Sequence, residues 1–344
     1  MMNYEEFKQT VREELEKLFP EEYEIDIRKI QKVNQELDGL HVIKKNATVN
    51  ATPTIYVQSL YKEYKNGTSL DEIISSLHLS IMENLSNSER IAALVNFDTA
   101  KENIVFELIN TEQNKSLLQN VPNRSWNDLS IIYRWIVEKG QEGTASAIIT
   151  HDLAERLGFD EEQLYNIATQ NTKQIFPVQV VSMNEMIREV LMNDLPEEME
   201  ALVPEMDIFS ESAMYVITNS IKKRGAASLL YEEELHKLSE QLGTDLYILP
   251  SSIHETIAIS ADFGTPEELT LMVQSVNGEA LEPEEKLSNN VYHYNRAKRE
   301  ITLATDAPAI GKEQDLAENI QAQTAPVQEE QTVNRINPNL GRGR

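Results

Sequence analysis

Pro250-Ser251-Ser252-Ile253-His254-Glu255 is where this 344-residue chain gathers the most chemistry-bearing side chains. Serine, histidine and glutamate are the nucleophile, the base and the orienting group of acyl-transfer hydrolysis. The spacing limits that idea. On an extended backbone Ser252 and His254 share a face while Glu255 points away. No Gly-x-Ser-x-Gly elbow occurs anywhere in the chain. Two readings stand. One is a hydrolase using Ser251 or Ser252, His254 and an acidic partner, Glu255 or one from elsewhere. The other is a turn held by hydroxyl-to-backbone hydrogen bonds, with His254 satisfying a buried carbonyl. The turn is the simpler of the two.

A second grouping mixes aromatic and charged residues. Trp126, Tyr133 and Trp135 flank Asp128 and Arg134. On a strand, Tyr133 and Trp135 share a face with Ile131, and Arg134 lies opposite. An Asp128–Arg134 pair beside Trp135 would line the pocket of a small-ligand sensor. Core aromatics with one ordinary ion pair explain the same residues.

Other chemistries find less support. The six histidines, at 41, 78, 151, 236, 254 and 293, show no His-Glu-x-x-His spacing. His151-Asp152 reads as the cap of a helix that follows a strand, and His78 and His236 fall on helices. No metal site and no cofactor are expected. Residues 138–143 are too acidic for a phosphate loop and lack its Gly-Lys-Ser/Thr end. Lys222-Lys223-Arg224, the one compact basic run, is expected in a solvated hairpin turn. Gly225-Ala226-Ala227-Ser228 beside it would admit a ligand close to the backbone, or simply pack tightly.

These residues need elements to hold them, and the pattern supplies a repeated one. Strand, turn, strand, short helix and glycine recur three times. The first pass is Leu40–Lys44, Pro53–Val57 and a helix ending at Gly67. The second is Ser130–Val137, Thr144–Thr150 and a helix ending at Gly158. The third is Met214–Asn219, Gly225–Leu230 and a helix ending at Gly243. Around these, Phe7, Val11, Leu15 and Leu18 recur at helical steps before Pro20, and Tyr23, Ile25 and Ile27 alternate as in a strand. Ser69 and Asp160 cap helices, as does Thr265 before Pro266–Val273. A further helix is read over Met183–Leu191. Ile104–Ile109, Leu246–Leu249 and Thr256–Ser260 read as strands, and Val291–Tyr294 with Glu300–Leu303 as a last hairpin. The expected fold class is α+β: mixed or antiparallel sheets built from three ββα units, helices packed on one side, and a disordered C-terminal tail. Residues 1–195 form the first part and 208–304 the second. Pro196–Asp207, acidic and holding two prolines, links them.

Composition sets the outer bounds. Fifty-seven acidic against thirty-one basic residues give a net charge of −26. Such a surface repels phosphate backbones and anionic lipid, so neither nucleic acid nor membrane is an expected partner. No stretch approaches the roughly 18–20 apolar residues of a membrane span. Met1–Pro20 lacks the apolar core of a secretory signal. The absence of cysteine excludes disulfides and thiolate metal sites and points to the cytoplasm. Thr305–Arg344 has no aromatic residue and no apolar periodicity, so ordering it would bury too little surface. A protein partner binding through this tail is the expected interaction.

Several ordered motifs carry a resemblance. They are Leu37-Asp38-Gly39-Leu40, Thr52-Pro53-Thr54-Ile55-Tyr56-Val57, Asn123–Leu129, Tyr215–Asn219, Gly225-Ala226-Ala227 and Leu249–Glu255. Over roughly residues 3–304 the chain resembles an uncharacterised domain family of gut Firmicutes, known only as a domain of unknown function. More distantly it is similar to another uncharacterised family of Bacillus-type cytosolic proteins. The resemblance implies a bacterial, intracellular setting and brings no functional residues. The leading expectation is a non-enzymatic interaction or accessory protein, with the hydrolase and the small-ligand sensor as alternatives.

Overall fold

Helix α1 (Tyr4–Leu18) opens the chain because Asn3 and Glu6 exchange side-chain-to-backbone bonds at its first turn. It ends at Phe19, just before Pro20. In the computed structural model, which describes residues 1–45, 54–94, 97–140, 143–194 and 214–306, α1 covers a three-stranded sheet. Strands β1 (Tyr23–Lys32) and β2 (Gln35–Lys44) form a long hairpin, and the two-residue β3 (Ile55–Tyr56) adds to β2. Ile25, Leu40 and Val42 meet Phe7, Val11 and Leu15 of α1. Val57 of α2 (Val57–Lys65) and Ile73, Leu77 and Ile81 of α3 (Leu70–Leu94) close this core.

The second sheet is built on β6 (Leu129–Gly140). One edge pairs with β4 (Ile104–Asn110), the other with β5 (Asn123–Trp126) and then β7 (Gly143–Ile148). Phe106, Ile131, Tyr133 and Trp135 face α5 (His151–Leu157) and α6 (Glu161–Ile175) through Ala154, Leu164 and Ala168. On the other face Ile109 and Ile132 meet Leu117 of the short α4 (Lys115–Leu118).

The third sheet runs β13-β12-β10-β11-β9-β8. Its strands are β8 (Val178–Ser182), β9 (Tyr215–Asn219), β10 (Leu246–Leu249), β11 (Thr256–Ser260), β12 (Tyr292–Asn295) and β13 (Glu300–Leu303). Helix α7 (Met183–Asp194) follows β8. Leu235 and Leu238 of α8 (Glu232–Leu242) pack with Ile217, Ile248 and Ala258, while Leu269 and Val273 of α9 (Pro266–Glu279) pack with Leu249 and Ile259.

The α+β reading holds, and every pairing between the described strands is antiparallel. Four details differ from expectation. The third ββα unit is not one. Gly225–Leu230 is a 3-10 helix, because β8 and β11 already occupy both edges of β9 and leave none for a returning strand. Residues 225–229 are instead buried, and a Cβ on Gly225 would sit 2.2 Å from Thr218 Oγ1 and 2.5 Å from the His254 carbonyl. In the first unit the second strand shrinks to Ile55–Tyr56, and Val57 already begins α2; Pro53 lies outside the described residues. Helices cover both faces of the six-stranded sheet, since β10 and β11 carry apolar residues at both alternations. Thr150, rather than His151-Asp152, caps α5, its hydroxyl accepting the Leu153 N–H.

The described residues fall in one compact unit, and the six-stranded sheet within it takes β8 from before Pro196–Asp207 and its other strands from after. That expected linker and the tail from Ala307 onward lie outside the described residues. Among the described residues no helix is long and apolar enough to cross a membrane.

Candidate anion-binding cleft

Strand β4 reads Ile-Val-Phe-Glu-Leu-Ile-Asn and is buried at all seven positions. One charge in such a run demands a cation, since an unpaired buried carboxylate costs several kcal/mol. Glu107 finds two. Arg134 Nε of β6 binds Glu107 Oε2, and Arg224 Nε binds Oε1 at 3.0 Å. Arg134 also donates from Nη1 to Ser146 Oγ at 3.2 Å. Among the described residues nothing accepts from Arg134 Nη2 or from either Nη of Arg224. Glu107 is 2% exposed, whereas the Arg224 side chain is 46% exposed.

The backbone at Arg224 is held for this purpose. Arg224 has φ 53°, as Lys222 has φ 51°, a left-handed conformation that strains non-glycine residues. Asn219 ties the turn: its Nδ2 donates to the Lys223 carbonyl at 2.9 Å and its Oδ1 accepts the Ile221 N–H at 3.1 Å. The Arg224 N–H then donates to His254 Nδ1 at 3.2 Å. That bond puts the proton of a neutral His254 ring on Nε2, which faces Glu285 Oε1 at 3.6 Å. Lys222-Lys223-Arg224 is therefore not simply a solvated turn. Lys222 pairs with Glu189 at 3.1 Å, and Arg224 reaches a buried carboxylate.

Glu107, Arg134, Ser146, Arg224, His254 and Glu285 form one wall of a cleft of about 890 Å³. The end of the β1–β2 hairpin, β3 and α2 form the other, with Lys32, Gln35, Tyr56, Gln58, Ser59 and Lys62. The hairpin tip is pinned to the body by Asn34, a left-handed residue at φ 61°. Its N–H donates to Asn114 Oδ1 at 2.7 Å, and its Nδ2 donates to the carbonyls of Glu284 at 3.0 Å and Lys286 at 2.7 Å. Four basic side chains line the cleft, Lys32, Lys62, Arg134 and Arg224, against three acidic ones, Glu107, Glu284 and Glu285. The chain as a whole has 31 basic and 57 acidic residues, so the cleft reverses the charge balance of the molecule.

The expected catalytic group is brought together only in part. Ser252, His254 and Glu255 share one turn, but Ser252 Oγ accepts the His254 backbone N–H at 3.0 Å and the ring nitrogens are engaged as above. Neither Ser251 nor Ser252 bonds to the imidazole; the Ser251 carbonyl accepts the Leu287 N–H at 2.8 Å. The His254 ring accepts from a backbone N–H rather than serving a buried carbonyl. Its own carbonyl accepts from Gly225 N and Thr218 Oγ1, each at 2.9 Å. Burial pushes the Glu255 carboxyl up, against the pull of His254 and of the Ser252 hydroxyl.

The Asp128, Arg134 and Trp135 grouping separates. Asp128 accepts from Ser288, Asn290 and Tyr292 and makes no pair with Arg134. Trp135 faces the opposite side of β6, 4% exposed, with Phe97 5.3 Å from its ring. Of the three, Arg134 alone lines the cleft. Glu107, Arg224, Lys32 and Lys62 were not singled out by sequence as binding residues. The lone charge in β4 was the available signal. Among the described residues no group of three or more His, Asp or Glu side chains is arranged to hold a metal ion.

No curated protein and no solved structure matches the chain. The model of a family of unknown function, DUF5688, does match, over residues 4–296, and the chain belongs to that family.

Proposed function

We propose that this protein binds a small anionic ligand, a carboxylate or a phosphate, in the cleft between the β1–β2 hairpin and the Glu107 wall. One observation carries the reading: a buried glutamate fixes two arginines by their Nε atoms and leaves guanidinium N–H groups unused beside an open space. Arginine held this way is pre-organised for two-pronged recognition of carboxylate or phosphate. The volume is in the range of small-molecule sites. Lys62 and Lys32 add positive potential from the facing wall. This sharpens the small-ligand sensor and replaces its expected Asp128–Trp135 pocket. The Ser252–His254 geometry gives the hydrolase no nucleophile–base contact to build on.

A bacterial cytoplasmic setting belongs to the same proposal, supported by the lack of cysteine and by the resemblance described above. So does a protein partner for Thr305–Arg344, which rests on composition alone. Titration of the full chain with inorganic phosphate and with acetate at low ionic strength, followed by calorimetry or amide chemical shifts, tests the cleft. Saturable binding that Arg224→Gln weakens by about tenfold or more is expected, since a charged hydrogen bond contributes about 1.5–3 kcal/mol. Shifts that match sodium chloride in both proteins overturn it.

A further inference from the structure

The cleft does not account for all the space at the two arginines. A second, smaller cavity of about 40 Å³ shares Glu107, Arg134, Ser146 and Arg224 with it. The rest of its wall is chiefly apolar, with Val105, Phe106, Ile136, Phe176, Ile221 and Ala227. The polar members have partners within the protein. Thr172 Oγ1 accepts the Phe106 N–H at 3.1 Å, and Ser228 Oγ donates to the Thr218 carbonyl at 2.9 Å. Asn219 is spent on its own turn. The one remaining charged member, Lys223, is exposed. A fully solvated anion such as phosphate has no use for a space of this character; an alkyl group does.

The partition between the two spaces includes Arg224, which among the described residues is tied to the wall through its Nε and whose side chain is half-exposed. Building on the anion reading above, we infer that the ligand carries a short apolar arm: its anionic head lies on the Arg134 and Arg224 guanidinium groups and its arm enters the side cavity. A water needs about 10–15 Å³ of such space, so the cavity holds about three atoms of chain. The ligand class is a short-chain alkyl anion, either a carboxylate or a phosphate monoester. Both have an oxyanion head and differ in charge.

The test is a chain-length series against the full-length protein: acetate, propionate, butyrate, valerate and octanoate, with methyl and propyl phosphate as the second head group. Affinity is expected to rise about fourfold per added methylene up to butyrate or valerate, from about 0.8 kcal/mol per buried CH₂. It is expected to stop rising by octanoate. The better head group names the source. Ala227→Val and Ile221→Trp both shrink the cavity and are expected to flatten the series. Ala227 is buried, whereas Ile221 is 42% exposed, so the second variant stands if the first does not fold. Acetate and phosphate that bind with no dependence on chain length overturn the apolar arm and leave the anion reading intact. A series in which nothing binds overturns both.

Discussion

Asp128 and Glu107 are two carboxylates beside the same strand, and their surroundings differ in kind. Asp128 is surrounded by neutral donors from one segment: Ser288 Oγ at 2.6 Å, Tyr292 OH at 2.5 Å and Asn290 Nδ2 at 3.1 Å. Burial first, and then Asp128 itself, pushes the Tyr292 hydroxyl well above its ordinary value, so it remains a donor. These three groups donate to one carboxylate, and the result is a staple between the second sheet and the third. Glu107 is held by two guanidinium groups, each bringing more N–H groups than one carboxylate can use. A carboxylate satisfied by neutral groups locks a fold. One satisfied by arginines can also present unused donors to a ligand.

The strongest way to break this contrast is Glu107→Ala. It leaves Arg134 without its partner in a buried setting, and a loss of about 3–5 kcal/mol in urea unfolding is expected. A loss under about 1 kcal/mol would mean that Glu107 is not what fixes the arginines. Next comes Asp128→Ala, which strands three donors. About 2–3 kcal/mol of destabilisation is expected, with anion titrations like those of the parent protein. A lost anion response in the folded variant would merge the two regions into one site. Arg224→Gln sharpens the comparison further. Its half-exposed pair contributes about 0–1 kcal/mol to stability, while anion affinity is expected to fall about tenfold. Equal damage to stability and binding would make Arg224 a structural partner only.

The smallest effect concerns Glu255. Its carboxyl is raised by burial, so the folded chain holds that proton more tightly than the unfolded chain does. Stability from this group is therefore complete below the ordinary glutamate range, about 4.3, and declines as pH rises through the raised value. Glu255→Gln should flatten the stability–pH curve just above that range. An unchanged slope counts against a buried carboxylic acid there.

Local signals were legible where one element explained itself. The capping residues Ser69, Asp160 and Thr265 each accept the backbone N–H three residues on, and Leu246–Leu249 and Thr256–Ser260 are strands with the bounds read from sequence. What sequence did not show depended on who sits beside whom. Gly225–Leu230 looks like a strand until β8 and β11 are known to fill both edges of β9. Arg134 was found, but beside the wrong acid. Its true partner lies 27 positions earlier in β4, and the second arginine that completes the pair comes from a turn 90 positions later. Alternation along one strand shows which face a charge takes, not which charge meets it.

The tip of the first hairpin sets when all this can come into being. Asn34 bonds to Asn114 and to the carbonyls of Glu284 and Lys286, partners 80, 250 and 252 positions along the chain. Closing so long a loop costs entropy that only the finished neighbourhood repays. During synthesis the hairpin and its helices can assemble early and meet Asn114, yet their docking stays incomplete until Lys286 has left the ribosome. Recognition by this protein thus waits for residues made long after the first wall, and any molecule lodged between the walls would hold segments far apart in the chain together by mass action.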